Sequence, residues 1–490
     1  MPEDARCQRG LSRARQPSLT AGVFRQGLTH FIRNLSYLVT IKSVHITNYY
    51  HKNSGGISTS YNNLLAAAGR HRRDVRLIVP GETETVEEVN EFAKIYYVPA
   101  KQSPVFDKRY RVMMPWDYMP GGSIIRKILL AEKPDLIEVT DKYTLSMLGA
   151  MIRIGKFKQI GRPVLVHFSC ERMDDNIASF MTKRAFGRWL SRRVIGNYIV
   201  PSFDFHIANS PYTAEEFYKS VEKTENPRRS DRFFNRCWRF FKSPRVPFAE
   251  RVHVCPRGVN AVQFSPSRKS DAVKKAMRER AGVPENAIVL LYAGRVSPEK
   301  NIELLPPLME ILAKDTDRDF RLLVAGAGPQ AEWLKEETAK KIPNKIIQLG
   351  HLDKETLSDY YANADVFVHP NPREPFGIAP LEAMASGTPT LAPNAGGLLS
   401  YATNENAWLV APTADDFAAA VREIVGDEAL RNRKIERAFE AVQANTREKS
   451  TDFLLATYDR LYADFQNRKA LFTDKEKAEN FDFAKQLLEE

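Results

Sequence analysis

Glu374 and Glu382 are separated by seven residues, and the first is followed directly by Pro375-Phe376-Gly377-Ile378. They come just after the apolar run Val366–His369. That run reads as a buried strand, so the pair belongs at the carboxyl edge of a parallel sheet, where open α/β folds take their ligands. Pro375 suits the first turn of a helix, where its missing N–H is no loss. Free N–H groups around Phe376–Ile378 then point into a cleft, ready for an anion or a hydroxyl. Glu374 precedes the helix and Glu382 lies two turns along it, which at 1.5 Å per residue separates them by roughly 10 Å. Two carboxylates so placed can hold two hydroxyl-bearing groups, such as the sugar and the ribose diol of a nucleotide sugar.

The surrounding elements alternate β and α. Ile41–Thr47 reads as a first strand, followed by Gly55-Gly56 and a helix over 57–69. Val75–Val79, Leu136–Val139, Val164–Phe168 and His206–Asn209 continue a parallel sheet. A second unit carries strands at Ile288–Tyr292, Arg321–Val324, Ile346–Leu349, Val366–His369 and Thr390–Ala392. The expected class is therefore α/β, with two Rossmann-like, doubly wound domains facing a cleft. The boundaries fall at 1–40 (a basic leader), 41–258, 259–445 and 446–490 (terminal helices, part of which cross back to the first domain). A chain of 490 residues has room for two cores.

Charge is unevenly shared. Residues 1–258 carry a net +18 and the remainder −6. One half is thus suited to an anionic partner, whether nucleic acid, anionic lipid or a phosphorylated acceptor. Residues 219–251 interleave Lys and Arg with Phe233, Phe234, Trp238, Phe240, Phe241 and Phe248, and residues 183–193 are basic around Trp189. This is the composition of a membrane-surface segment; the alternative is a solvated insertion with its rings packed on its own domain. No run reaches the length of a spanning helix. The four cysteines are scattered, which fits neither a zinc site nor a disulfide framework. The leader has no acid between Asp4 and Asp74 and resembles a transit peptide; the preferred alternative is a leader on a bacterial cytoplasmic protein, peripheral on the inner face of the membrane.

The Glu374–Glu382 segment resembles the signature of the family-4 retaining glycosyltransferases of GT-B fold. Gly294-Arg295-Val296-Ser297-Pro298-Glu299-Lys300 is similar to that family's G-R-x-x-x-E-K segment. Gly326-Ala327-Gly328-Pro329 is similar to its G-x-G-P turn, and Leu349-Gly350-His351-Leu352 to the loop that cradles the base. The resemblance implies that Arg295 and Lys300 grip the diphosphate, Glu374 binds the donor sugar and Glu382 the ribose. It also assigns Gly55, Gly56, Gly294, Gly326, Gly328, His351, Leu352, Phe376, Gly377 and Ile378 to the donor. Segments 136–145 and 169–174 look closest to the GDP-mannose-dependent α-mannosyltransferase branch. There Asp141, Cys170 and Glu171 fall on the acceptor side, but Cys170 stands where that branch has His, and nearby His167 is the alternative first-domain catalytic candidate. Ser400 stands where many relatives have Glu. The reaction implied is retaining transfer of a hexose, mannose by first choice, to a glycolipid or polysaccharide-precursor hydroxyl. The resemblance implies no metal or other cofactor and no nucleic-acid partner. A UDP- or ADP-sugar donor, or a GT-B epimerase or phosphorylase, is the near alternative, and a non-catalytic binding protein a distant one.

Two other patterns carry less. Gly326-Ala327-Gly328-Pro329-Gln330-Ala331 matches a dinucleotide fingerprint, yet Gln348-Leu349-Gly350 offers no ribose-binding acid at the end of the next strand. Asp315-Thr316-Asp317-Arg318-Asp319 precedes a strand on the side away from the cleft and reads as a solvated turn.

Overall fold

A computed structural model describes residues 41–50, 56–103, 111–180, 184–222 and 227–486. The leader and Gly55 lie outside the described residues. The first sheet contains β1 (Ser43–Ile46), β2 (Val75–Gly81), β3 (Thr85–Asn90), β4 (Ala93–Pro99), β5 (Leu136–Val139), β6 (Val164–Ser169), β7 (Phe205–Ala208) and β8 (Val252–Val254). Its order is β8-β7-β6-β5-β1-β2-β4-β3, parallel throughout except for β3. The central strands are short, largely apolar runs buried on both faces, with a few buried polar residues such as His45 and Glu138, as a helix-covered parallel sheet requires. β3 is the exception: its TVEEVN sequence is solvent-exposed on both faces and pairs antiparallel at the edge. Neither β3 nor β4 is expected from the sequence reading.

The second sheet contains β9 (Ile288–Ala293), β10 (Phe320–Ala325), β11 (Ile346–Gly350), β12 (Val366–Val368), β13 (Thr390–Pro393) and β14 (Trp408–Val410). All are parallel, in the order β11-β10-β9-β12-β13-β14. The helices that matter below are α1 (Gly56–His71), α2 (Met173–Phe180), α3 (Arg184–Val194), α4 (Pro211–Val221), α5 (Pro227–Phe240), α6 (Lys354–Asn363), α7 (Ile378–Ala385) and α8 (Arg447–Asn467).

The chain passes between the two units twice, and the passages lie side by side: Val259 N–H donates to Asn445 O and Arg447 N–H to Val259 O. α8 then packs on the first unit. Leu455, Tyr458, Leu461 and Phe465 join the core formed by α1, β2 and β6. Its polar anchors are buried: Arg73 pairs with Asp459, and Tyr458 donates to Glu138, which also accepts from Tyr61 and contacts His45. A buried carboxylate with this many partners has its lone pairs filled, which is what makes its burial tolerable.

The basic aromatic stretch divides its rings. Trp238 of α5 is fully buried, donates its indole N–H to Gly196 O at 2.9 Å and stacks on Phe234. Phe248 is buried too, whereas Phe233 and Phe240 are exposed. Much of that segment therefore packs on its own domain. α3 keeps a wet apolar face, with Phe186, Trp189 and Leu190 exposed. Among the described residues, no helix is long and apolar enough to cross a membrane.

Candidate active site

The carboxyl edges of the two sheets meet across a cleft. Ser210, the N-cap of α4, donates to Pro375 O, and Thr213 donates to the same oxygen at 3.2 Å. Lys354 of α6 reaches Thr59 of α1 at 3.4 Å. A Cβ built on Gly56 would stand 3.8 Å from Ile378 Cγ2, so the start of α1 faces the start of α7.

The 373–387 segment does not begin its helix at Pro375. α7 starts at Ile378, and Gly377 is its N-cap with φ +87°. Tertiary hydrogen bonds shift the start: Glu374 O accepts from Gly397 N–H, Pro375 O from the first unit, and Gly377 O from Tyr401. The Glu374 and Pro375 carbonyls are thereby kept out of the helix, while Gly377 O also accepts from Leu381 N–H as the first intrahelical acceptor, and only glycine readily turns the chain at φ +87°. Among the described residues, the N–H groups of Phe376, Gly377 and Ile378 donate to no partner. They are the ligand-ready donors at the start of α7.

Glu374 collects cationic and polar donors on one oxygen, Lys300 Nζ at 2.8 Å and Asn371 Nδ2 at 3.1 Å, with His369 Nε2 at 3.7 Å. Burial alone would raise its pKa. The Lys300 charge and these hydrogen bonds outweigh burial and bring it down to about 2. Glu382 lies in α7 with a neutral hydrogen-bond partner, Tyr361 Oη at 3.2 Å, and burial, outweighing that bond and the charge of Lys354, pushes it up to about 7. The same motif thus holds one carboxylate firmly ionised and one poised near neutrality, and their different neighbours account for it. Phe376 is buried against Tyr401.

Lys300 and Arg295 share the loop after β9. Tyr292 Oη donates to Arg295 O, and Asn301 Nδ2 donates to Pro370 O at 2.9 Å, tying this loop to the Glu374 segment. Arg295 keeps a 41% exposed side chain near Glu299. The glycines let neighbouring loops touch. A Cβ on Gly326 would lie 1.8 Å from Gly294 O, and one on Gly328 would lie 2.2 Å from Val296 O. Gly326 N–H donates to Gly350 O at 2.8 Å, which fixes the loop bearing His351 and Leu352 beside them. His351 is exposed and Leu352 partly so.

On the first-unit side the candidates part company. His167 is not in the cleft. It is fully buried, with Phe203, His206 and Phe217 around its ring, and burial drives its pKa well down. Strand alternation decides this, since neighbouring positions of β6 face opposite sides of the sheet. Asp141 is consumed by its own loop, accepting from Tyr143 and Thr144 N–H and from Asn48. Cys170 is a buried thiol raised to about 11 by burial, and it accepts a contact from Arg257 at 3.0 Å. Glu171 alone of the four stays partly exposed, held by Asn176 at 2.8 Å and Tyr49 at 3.3 Å. It precedes α2, which approaches Pro298–Lys300 across the cleft. No motif in the sequence marks His369, Asn371, Ser210 or Arg257. The first two lie just before the Glu374 motif, and Ser210-Pro211 carries an N-cap signal whose cross-domain use only the tertiary structure reveals.

Two parallel-sheet α/β units with a phosphate-ready helix start and a paired Glu–Lys define a nucleotide-using transferase. Residues 273–441 match the family of glycosyl transferases group 1, and residues 55–225 match the glycosyl transferase 4-like domain. The chain belongs to the GT-B glycosyltransferases. It is 28% identical over 401 residues to a GDP-mannose-dependent alpha-(1-6)-phosphatidylinositol dimannoside mannosyltransferase of Mycobacterium tuberculosis, covering 81% of this chain and 91% of that protein. A GDP-mannose-dependent alpha-mannosyltransferase of Corynebacterium glutamicum is 24% identical, with 83% and 86% covered. The fold matches Anabaena HepE in complex with UDP and glucose, with a TM-score of 0.60, 16% identity, and 86% of this chain and 100% of that chain covered. Sucrose-phosphate synthase from Thermosynechococcus elongatus gives a TM-score of 0.62 at 20% identity, with 86% and 100% covered.

Proposed function

We propose that the protein transfers mannose from GDP-mannose, with retention, to a hydroxyl of a lipid-linked or polysaccharide-precursor acceptor. The observation that carries this reading is the Glu374–Lys300 pair beside the N–H groups of Phe376–Ile378, which donate to no partner among the described residues. Cleaving the sugar–phosphate bond develops negative charge on the leaving diphosphate. Lys300, Arg295 and the α7 start are fixed donors for that charge, so they need no reorganisation as it forms. These groups supply the compensation without a resident metal. Glu374, ionised, accepts hydrogen bonds from hydroxyls of the sugar; Glu382, about one turn into α7, accepts them from the ribose diol. The departing phosphate takes the acceptor proton in a front-face displacement, and no enzyme nucleophile is used. Glu171 and Tyr49 line the acceptor side. The named activities of the two mannosyltransferases favour GDP-mannose over UDP- or ADP-sugars. The exposed Phe186, Trp189 and Leu190 of α3, beside Arg188, support docking of this unit on an anionic membrane surface where a lipid acceptor resides.

A thermal-shift panel with GDP, UDP and ADP in EDTA, followed by transfer assays with the matching sugar nucleotide, tests the donor. A ligand at a hundred times its Kd stabilises by about 2.7 kcal/mol, enough to read. A shift with GDP and mannose release from GDP-mannose are expected. A shift with UDP or ADP alone would reassign the donor, and no shift with any of them would overturn the reading.

A further inference from the structure

His369 sits just past β12, 4% exposed, and neither of its ring nitrogens has a hydrogen-bond partner among the described residues. Buried polar groups without partners are rare in native structures and call for an explanation. Its Nε2 is 3.7 Å from the Glu374 oxygen that Lys300 and Asn371 already occupy at 2.8 and 3.1 Å. The ring therefore faces the carboxylate from just outside hydrogen-bond range.

A bound diphosphate changes this arrangement. Its several negative charges outcompete the single charge of Glu374 for Lys300. Glu374 then loses its cation as it takes up the sugar hydroxyls. We propose that His369 replaces Lys300 on Glu374 when the donor binds, acting as a positioning residue that keeps the carboxylate aimed at the sugar. The inference rests on the reading that Lys300 binds the diphosphate. Closing by about 0.8 Å brings Nε2 to the ordinary N–H···O distance. Burial holds the ring neutral, its pKa lowered to about 4, so it donates one N–H without adding charge to the site. Asn371 stays in place through the exchange, so the sugar meets a carboxyl group held by two neutral donors, Asn371 and His369.

The test is calorimetric titration of the full chain and its H369F and H369Q variants with GDP and with GDP-mannose. Phe keeps a ring without a donor; Gln keeps an N–H. GDP affinity should agree within about twofold across the three proteins. Preference for GDP-mannose over GDP should fall about tenfold in H369F and recover in H369Q, as expected for a lost hydrogen bond to a charged group. Equal losses on both ligands, or an unchanged preference, would overturn the exchange. H369N, whose amide stops short of Glu374, replaces H369F if the latter does not fold. If the wild type binds UDP or ADP rather than GDP, the titration uses that nucleotide and its glucose conjugate. That outcome moves the donor, while the ratio still decides the role of His369. Failure of the wild type to bind any of these nucleotides would overturn the diphosphate reading and the exchange together.

Discussion

Replacing Glu382 with Gln should stabilise the unliganded protein at alkaline pH while weakening its response to nucleotide. Burial raises this carboxyl from its ordinary 4.5 to about 7, with Tyr361 as its hydrogen-bond partner. Between those two values the folded chain retains a proton that the unfolded chain has released. Stability therefore falls as pH rises from about 4.5 to about 7 and is flat above. Each pKa unit corresponds to about 1.4 kcal/mol. The full difference is about 3 kcal/mol, and because Glu382 is partly exposed, about 1–3 kcal/mol is the working range. E382Q removes this penalty, so the two proteins should melt together near pH 4.5 and diverge by several degrees at pH 8. The assay is a series of melts from pH 4.5 to 8.5 with and without nucleotide. The ribose diol should favour the ionised wild-type carboxylate, so the nucleotide-induced shift at pH 8 should be larger in wild type than in E382Q. Parallel pH profiles for the two proteins would refute the argument, because they would mean Glu382 ionises as it does in the unfolded chain.

Lys300→Met leaves Glu374 without its cation, so the carboxyl should climb from about 2 and diphosphate affinity should drop at least tenfold by calorimetry. Tyr458→Phe removes one donor from buried Glu138 and should cost about 1–3 kcal/mol in urea unfolding without changing nucleotide affinity per folded molecule. Gly326→Ala places a methyl 1.8 Å from Gly294 O and should abolish the nucleotide-induced shift, since backbone must move to admit it. The double change Phe186→Ser and Trp189→Ser removes two half-exposed rings, so co-sedimentation with anionic liposomes should fall several-fold while the melting temperature stays put. Unchanged sedimentation would argue against a membrane role for α3.

Sequence pattern was a good guide where one local rule dominates. β1, β5, β9 and β10 are short β-branched or Leu-rich runs whose burial on both faces follows from composition. The pattern was a poor guide where context overrides composition. β3 carries Glu87 and Glu88 and forms because β4 offers it a ladder, not because its residues prefer one. Composition leaves the rings of 219–251 open between a membrane surface and their own domain; Trp238 takes the second course, buried in the first-unit core with its indole N–H on Gly196 O.

By itself the sequence determined the fold class and marked the second-unit segments that carry the candidate residues. Glu374, Glu382, Lys300 and the glycines of the neighbouring loops lie in short, contiguous segments, so spacing along a strand-loop-helix unit places them at the sheet edge, while tertiary hydrogen bonds set where α7 begins. Tertiary structure alone decided the first-unit side. It turned His167 into the core and left Glu171 partly exposed beside the cleft, because one residue's shift along a strand changes the face. It also decided how Glu374 and Glu382 differ. Burial raises both of these identical side chains, eight positions apart; Lys300 overrides it at Glu374, which comes down to about 2, whereas Tyr361 and the charge of Lys354 do not at Glu382, which stays up at about 7. Lys300 and Tyr361 lie 74 and 21 residues away along the chain, at distances no local pattern reports.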